Sequence, residues 1–185
     1  TYISTPFYGA YQINDLGFSL KFVSVISMAG SIVRILVSRA WGRFADRKSF
    51  SVMMEKCFWF FAAAQICAIL ATPATGKIAF TLYYIFHGAA MAGTNSSLIN
   101  LVYDYSKVEN RSQSLAICQA IPGLIGFLAT IGFGALVSNV QENGNRFLGF
   151  SVYAQQVASV ITVLVIIATI IFALAASANL IASAV

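Results

Sequence analysis

The chain is 185 residues long, 59% apolar and only 9% charged, with a formal charge of +5 and a mean hydropathy of +0.81. Soluble domains carry about 25% charged residues, so a water-facing globule of this length is excluded; it has too few charges to cover its surface. The basic residues flank apolar runs instead of gathering into a patch, which fits membrane orientation and speaks against nucleic acid as a partner.

A bilayer span needs about 20 mostly apolar residues. Residues 1–13 are apolar and aromatic, but at 1.5 Å per residue they reach only about 20 Å against a hydrocarbon core of about 30 Å. They read as the last part of a helix. No basic n-region, short apolar core or cleavage site precedes them, so the expectation is a chain that begins inside a longer gene product. Complete spans follow at residues 22–41, 52–71, 78–102, 114–138 and 152–181. Thr72, Pro73 and Gly76 close the second span, and the turn-like run Gln141-Glu142-Asn143-Gly144-Asn145 follows the fourth. The reading is all-α, a polytopic membrane helix bundle formed by residues 1–185 as one unit, with the lipid bilayer as solvent.

Charge orients the spans. The connection over residues 38–56 carries Arg39, Arg43, Arg47, Lys48 and Lys56, and the one over residues 103–111 carries Lys107 and Arg111. Two spans separate them, so they lie on the same side. The opposite side holds only Lys21, Lys77 and Arg146. The positive-inside rule predicts that the basic loops, and with them the C-terminus, are cytoplasmic.

The spans differ in character. The last is almost wholly aliphatic, as suits a helix facing lipid. The third holds Tyr83, Tyr84, His87, Thr94, Asn95, Ser96, Ser97 and Asn100. Polar groups are costly in hydrocarbon, so this helix is expected to face a bundle interior or an aqueous cavity. The fourth has Gly126, Thr130 and Gly134 at four-residue spacing, a stripe that lets helices approach closely, and Pro122, which removes one backbone hydrogen bond and is expected to kink it. Cys57, Cys67 and Cys118 form no CxxC pair and read as buried free thiols. One histidine and scattered cysteines give no metal-ligand spacing. No P-loop and no set of nucleophile, base and orienter is present, so neither an ATP-driven engine, an enzyme nor a bound cofactor is expected.

The segment after the first complete span reads Gly42-Arg43-Phe44-Ala45-Asp46-Arg47-Lys48. It resembles the G-x-x-x-D-R signature of the major facilitator superfamily, which lies between the second and third helices of each six-helix half. Ser49 stands in place of the second Gly of the longer signature, and Phe50 and Ser51 replace its trailing basic pair. Such a weakened copy suits a second half. The resemblance covers nearly the whole chain. It implies the C-terminal six-helix half of a bacterial-type transporter in the plasma membrane, with its first helix truncated and an N-terminal half as partner. Gly42 is then expected to allow close helix approach. Asp46 and Arg47 are expected to gate, latching the cytoplasmic side through charge-assisted bonds; the alternative for the basic residues is topology anchoring beside anionic lipid.

Within the spans, Arg34 is the costliest residue, because a central arginine needs a partner or water. It either lines a cavity, meeting an anionic substrate or an acid on the other half, or snorkels toward the cytoplasmic interface. His87 is the only histidine, and either serves a cavity or is satisfied by a neighbour. Tyr83, His87, Ala90, Met91 and Thr94 share one helical face, with Asn95 beside it. The resemblance makes the helix carrying them border the central cavity. Gln119 is a further cavity candidate, its alternative being an interhelical bond. Tyr8, Tyr11 and Gln12 are weaker ones, with an interfacial aromatic belt as the alternative. Gln65 is expected to pack or bond at a lipid edge, and Asp104 to be interfacial, within reach of Arg111 or the Asp46 loop.

The function these features imply is secondary transport of a small solute of unread class by alternating access. The alternative is a non-transport membrane scaffold, or a subunit that pairs with a separately encoded half.

Overall fold

The computed structural model describes residues 4–142, 146–147, 150–151 and 153–182. In chain order they form α1 (Thr5–Ala10) running into a π-turn (Tyr11–Asp15), then α2 (Leu20–Arg47), α3 (Phe50–Ile69), α4 (Gly76–Tyr105), a 3-10 turn (Val108–Asn110), α5 (Arg111–Glu142) and α6 (Ala154–Ala182). Among the described residues, a two-residue antiparallel pairing sets Arg146 opposite Ser151 and Phe147 opposite Phe150. Among the described residues, four helices are long and apolar enough to cross a membrane, over Leu20–Arg47, Phe50–Ile69, Val108–Asn139 and Ala154–Ala175. The 30-residue α4 is long enough at about 45 Å, but its polar side chains keep it below that apolarity.

Side chains close the helix ends. Ser19 Oγ accepts from Phe22 N at the start of α2, and Ser49 Oγ from Val52 N at the start of α3, both at 3.2 Å. Each satisfies one of the amides that an α-helix leaves unpaired. Only Lys48 and Ser49 separate α2 from α3. The Gly42 to Arg47 motif is therefore the last stretch of α2 itself and not a loop. Helical geometry continues there because nothing breaks it before Lys48.

The far end of α3 is closed from three directions. Thr75 Oγ1 donates to Leu70 O at 2.8 Å, Tyr11 Oη to Ala71 O at 2.8 Å, and Gln156 Nε2 to Ile69 O at 2.9 Å. At the corner between α4 and α5, Arg111 Nη2 donates to Tyr103 O at 3.1 Å and its guanidinium lies 5.1 Å from the Tyr103 ring centre. Arg111 thus closes the C-terminus of α4, where a cation is favoured, and does not meet Asp104. The run at Gln141 and Glu142 is helical, continuing α5, and residues 143–145 lie outside those described, as do residues 1–3 of the opening run and Val152. Pro122 lies within α5, which continues through it.

The centre of the bundle is α4, packed between α2 and α3, with α6 on the other side of α3. The contact between α2 and α4 needs glycine. A Cβ on Gly88 would collide with the Gly30 carbonyl oxygen, and one on Gly30 would sit 2.8 Å from Tyr84 O. Trp41 Nε1 then bridges the helices, donating to Ala89 O at 2.8 Å. Gly93 faces Cys57 Sγ and the Trp41 ring with no room for a side chain. The order of these contacts makes α2 and α4 run in the same direction and α3 opposite. The basic ends of α2 and α4 therefore share one end of the bundle.

Three of the four α5 glycines play no such part among the described residues. A Cβ on Gly123, Gly132 or Gly134 would meet nothing within 4 Å, and the same holds at Gly42. Close approach was expected at Gly42 and along the Gly126, Thr130 and Gly134 stripe; Gly126 is buried, Gly42 and Gly134 are open, and the tightest approaches are at Gly30, Gly88 and Gly93. The α5 side chains Ile117, Ile121, Leu124, Ile125, Phe127, Leu128 and Ile131 are exposed around the helix, so α5 lies at the margin of the bundle.

The opening run is not an interfacial belt. Tyr8 and Tyr11 are buried, Tyr8 edge-on to Phe80 and Tyr83 with ring centres at 5.5 and 5.0 Å. Asp15 ends the π-turn half-buried, and that burial pushes its carboxyl above the usual carboxylate range.

Candidate functional site

Helix α2 is divided lengthwise into three strips. Ile26, Gly30, Trp41 and Ala45 are buried and pack inward. Val25, Met28, Ile32, Ile35 and Leu36 are exposed and apolar, as a lipid-facing strip should be. Between them lie Ser24, Ser27, Ser31, Arg34 and Ser38, all exposed, at alternating three- and four-residue spacing that puts them on one face. Serine is tolerated in hydrocarbon when its hydroxyl bonds back to its own helix. Two of these do so, Ser31 Oγ to Ser27 O at 3.3 Å and Ser38 Oγ to Ile35 O at 2.6 Å.

Arg34 has no such device. It is 14 residues from Leu20 and 13 from Arg47, about 20 Å from either end of α2, and seven residues, about 10 Å, short of Trp41, where the predicted span ends. Among the described residues the one ion pair is Lys56 with Glu55, at 3.1 Å. All six acids of the chain, Asp15, Asp46, Glu55, Asp104, Glu109 and Glu142, lie at helix ends or connections. None is placed to meet Arg34.

Beside this strip stands α4. Tyr84, His87, Met91, Thr94 and Asn95 are half-buried, while Gly88, Ala89, Ala90, Ala92 and Gly93 are enclosed. His87 stacks on Tyr83 (ring centres 5.3 Å, 24° between planes), with its edge toward Phe61 at 5.5 Å. Its Nε2 is buried and finds no hydrogen-bond partner among the described residues. The expectation for Tyr83 needs correction: it is 1% exposed and belongs to the interior formed by Tyr8, Phe80 and Tyr84. The reason is that α1 covers that side of α4. Ala90 is buried as well, so the helix face read from spacing splits between the core and an open flank.

A separate buried polar cluster ties α1, α3 and α6 together. Tyr8 Oη donates to Gln65 Oε1 at 2.5 Å and shares a 2.7 Å bond with Ser159 Oγ, while Ser4 Oγ donates to Gln65 Oε1 at 3.3 Å. Gln65 is fully enclosed, so it packs between helices and not at a lipid edge. Gln12 is also fully enclosed, and its amide finds no partner among the described residues. Ser4, Tyr8, Gln65 and Ser159 bind the opening segment, α3 and α6 to one another.

The other predicted positions lie apart. Gln119 is exposed on α5. Asp46 and Arg47 are exposed at the basic end of α2, Gly42 is half-exposed, and none of them forms an ion pair among the described residues. An apolar groove of about 440 Å³ between α4 and α5, lined by Leu98, Leu101, Val102, Tyr105, Ile117 and Cys118, contains none of the candidates. The arrangement brings together Arg34 with its serine strip and the open flank of α4. The serine strip was missed in the sequence reading, though its three- and four-residue spacing was there to be counted. Comparison with protein families, curated proteins and solved structures finds no match to this chain.

Proposed function

We propose that this chain is the second six-helix half of a secondary transporter of major-facilitator type, moving a small solute by alternating access across a bacterial plasma membrane. One observation carries the reading. A membrane-length helix presents a polar strip, bearing an arginine with no ion-pair partner, to a side that no helix covers among the described residues. Such a strip is stable only against water or a complementary partner. Transporters built from paired repeats place their binding site there, at mid-membrane between the halves. The polar flank of α4 adds to that wall, and the Gly42-Arg43-Phe44-Ala45-Asp46-Arg47 motif at the basic end of α2 supports the family reading. On this reading Asp46 and Arg47 gate at the cytoplasmic face, where the basic ends and the C-terminus lie, and the exposed α5 is covered by the other half and by lipid.

The test is which strip of α2 meets water. In the whole polypeptide that carries this chain, with Cys67 and Cys118 replaced by alanine, Ser31→Cys should react with a membrane-impermeant thiol reagent. Ile32→Cys, one residue on, should not. Equal protection of both positions from both sides of the membrane would mean that α2 borders no aqueous cavity, and would sink the transport reading. The same open side would suit a subunit that pairs with a separately encoded half; the coding sequence upstream of Thr1 distinguishes the two by showing, or not showing, about six further spans.

A further inference from the structure

The open strip of α2 also bears on what is carried. Arg34 sits at the middle of a helix about 42 Å long, and no acid of the chain is placed to pair with it. The side chains of a helix lean toward its N-terminus, so the guanidinium lies over the turn that holds Gly30 and Ser31, with Ser27 one turn further on. That turn is where α2 comes closest to α4, since Gly30 abuts Tyr84 and Gly88. His87 lies in that same turn of α4, one residue before Gly88. Its buried Nε2 finds no partner among the described residues. The spot therefore combines one permanent cation, rotatable hydroxyls and an unsatisfied ring nitrogen, and it contains no negative charge.

Resting on the transport reading, we propose that the solute carries an oxyanion, a carboxylate or phosphate group, which pairs with the Arg34 guanidinium while Ser27, Ser31 and His87 contact its neutral part. A guanidinium offers two parallel N–H donors that match the two oxygens of either group. An ammonium or a neutral polyol would leave the arginine's charge uncompensated at mid-membrane. The competing source of a negative charge is an aspartate or glutamate on a helix outside this chain. The two differ in the empty protein. Removing an arginine that pairs with a protein carboxylate strands a buried charge and destabilises the fold; removing an arginine that awaits a solute does not.

The experiment measures thermal unfolding of the whole purified polypeptide, wild type and Arg34→Gln, in detergent at constant ionic strength. The probes are citrate, benzoate, inorganic phosphate and glucose 6-phosphate, with glucose and choline as neutral and cationic comparators. Wild type should be stabilised by at least one oxyanion and by neither comparator, and the carboxylate and phosphate probes separate the two kinds of oxyanion. Arg34→Gln should unfold at the same temperature as empty wild type or higher, and should bind that oxyanion at least tenfold more weakly. Arg34→Lys should retain part of the effect. Stabilisation of wild type by glucose or choline alone overturns the oxyanion assignment and leaves transport standing. A lower unfolding temperature for empty Arg34→Gln, or failure of that variant to fold, overturns it in favour of a protein carboxylate. No stabilisation by any probe, together with no flux of any of them into proteoliposomes, counts against both readings.

Discussion

Replacing Gly88 by alanine tests the packing on which the open side of α2 depends. The added Cβ would collide with the carbonyl oxygen of Gly30, a backbone atom that no rotamer change can move. Either α2 and α4 separate or their backbones bend. Overpacking of a well-filled interface costs about 1–3 kcal/mol, and a backbone collision belongs at the upper end. Separation also stretches the 2.8 Å bond from Trp41 Nε1 to Ala89 O; interhelical bonds in membranes average about 0.6 kcal/mol. Alanine returns about 1 kcal/mol of helix propensity relative to glycine. The expected net loss is about 2–3 kcal/mol, read as a lower unfolding midpoint of the whole polypeptide in detergent. Met28→Ala, on the exposed strip of the same helix, is the control and should stay within about 0.5 kcal/mol. Gly93→Ala is a second arm, because the obstacle there is the Cys57 side chain. Its cost should be partly relieved by adding Cys57→Ala, with a coupling of about 0.5–3 kcal/mol. If Gly88→Ala proves no more harmful than Met28→Ala, the glycine contact is wrong, and so is the placement of Arg34 beside α4.

Tyr8→Phe removes the hydroxyl that joins Gln65 and Ser159 and leaves a buried amide less satisfied; the expected loss is about 1–3 kcal/mol in the same unfolding measurement, with solute binding at Arg34 unchanged. Asp15→Asn should stabilise the protein near neutral pH. Burial raises the folded-state pKa of Asp15 above its unfolded value, so the unfolded chain gives up the proton first as pH rises, and wild type loses stability through that window. Below about pH 4, where an ordinary carboxyl is protonated, the variant and wild type should converge; unfolding midpoints compared at low and neutral pH check the sign, and a gain that persists at low pH would refute it.

Some of this was legible in the residues alone. Low charge and long apolar runs fix a helical membrane protein, because in lipid the backbone must satisfy its own hydrogen bonds. The cost of a mid-span arginine singled out Arg34 without coordinates, and the crowd of polar side chains on α4 marked it as a helix unlike its neighbours. The contacts among helices were not legible, since they depend on which faces meet. Glycine spacing on α5 looked like a docking stripe; of it Gly126 is buried and Gly134 meets open space, while single glycines at positions 30, 88 and 93 make the tightest approaches. Tyr83 and His87 share a face by spacing, and tertiary packing alone decides that α1 covers the first and leaves the second at the edge of the core. The serine strip lay between the two: its period is written in the chain, but only tertiary packing leaves it without a covering helix among the described residues. Composition and periodicity are properties of one helix and its solvent. A site is a property of several helices, decided by which of them shut out lipid and which leave a cation waiting for its partner.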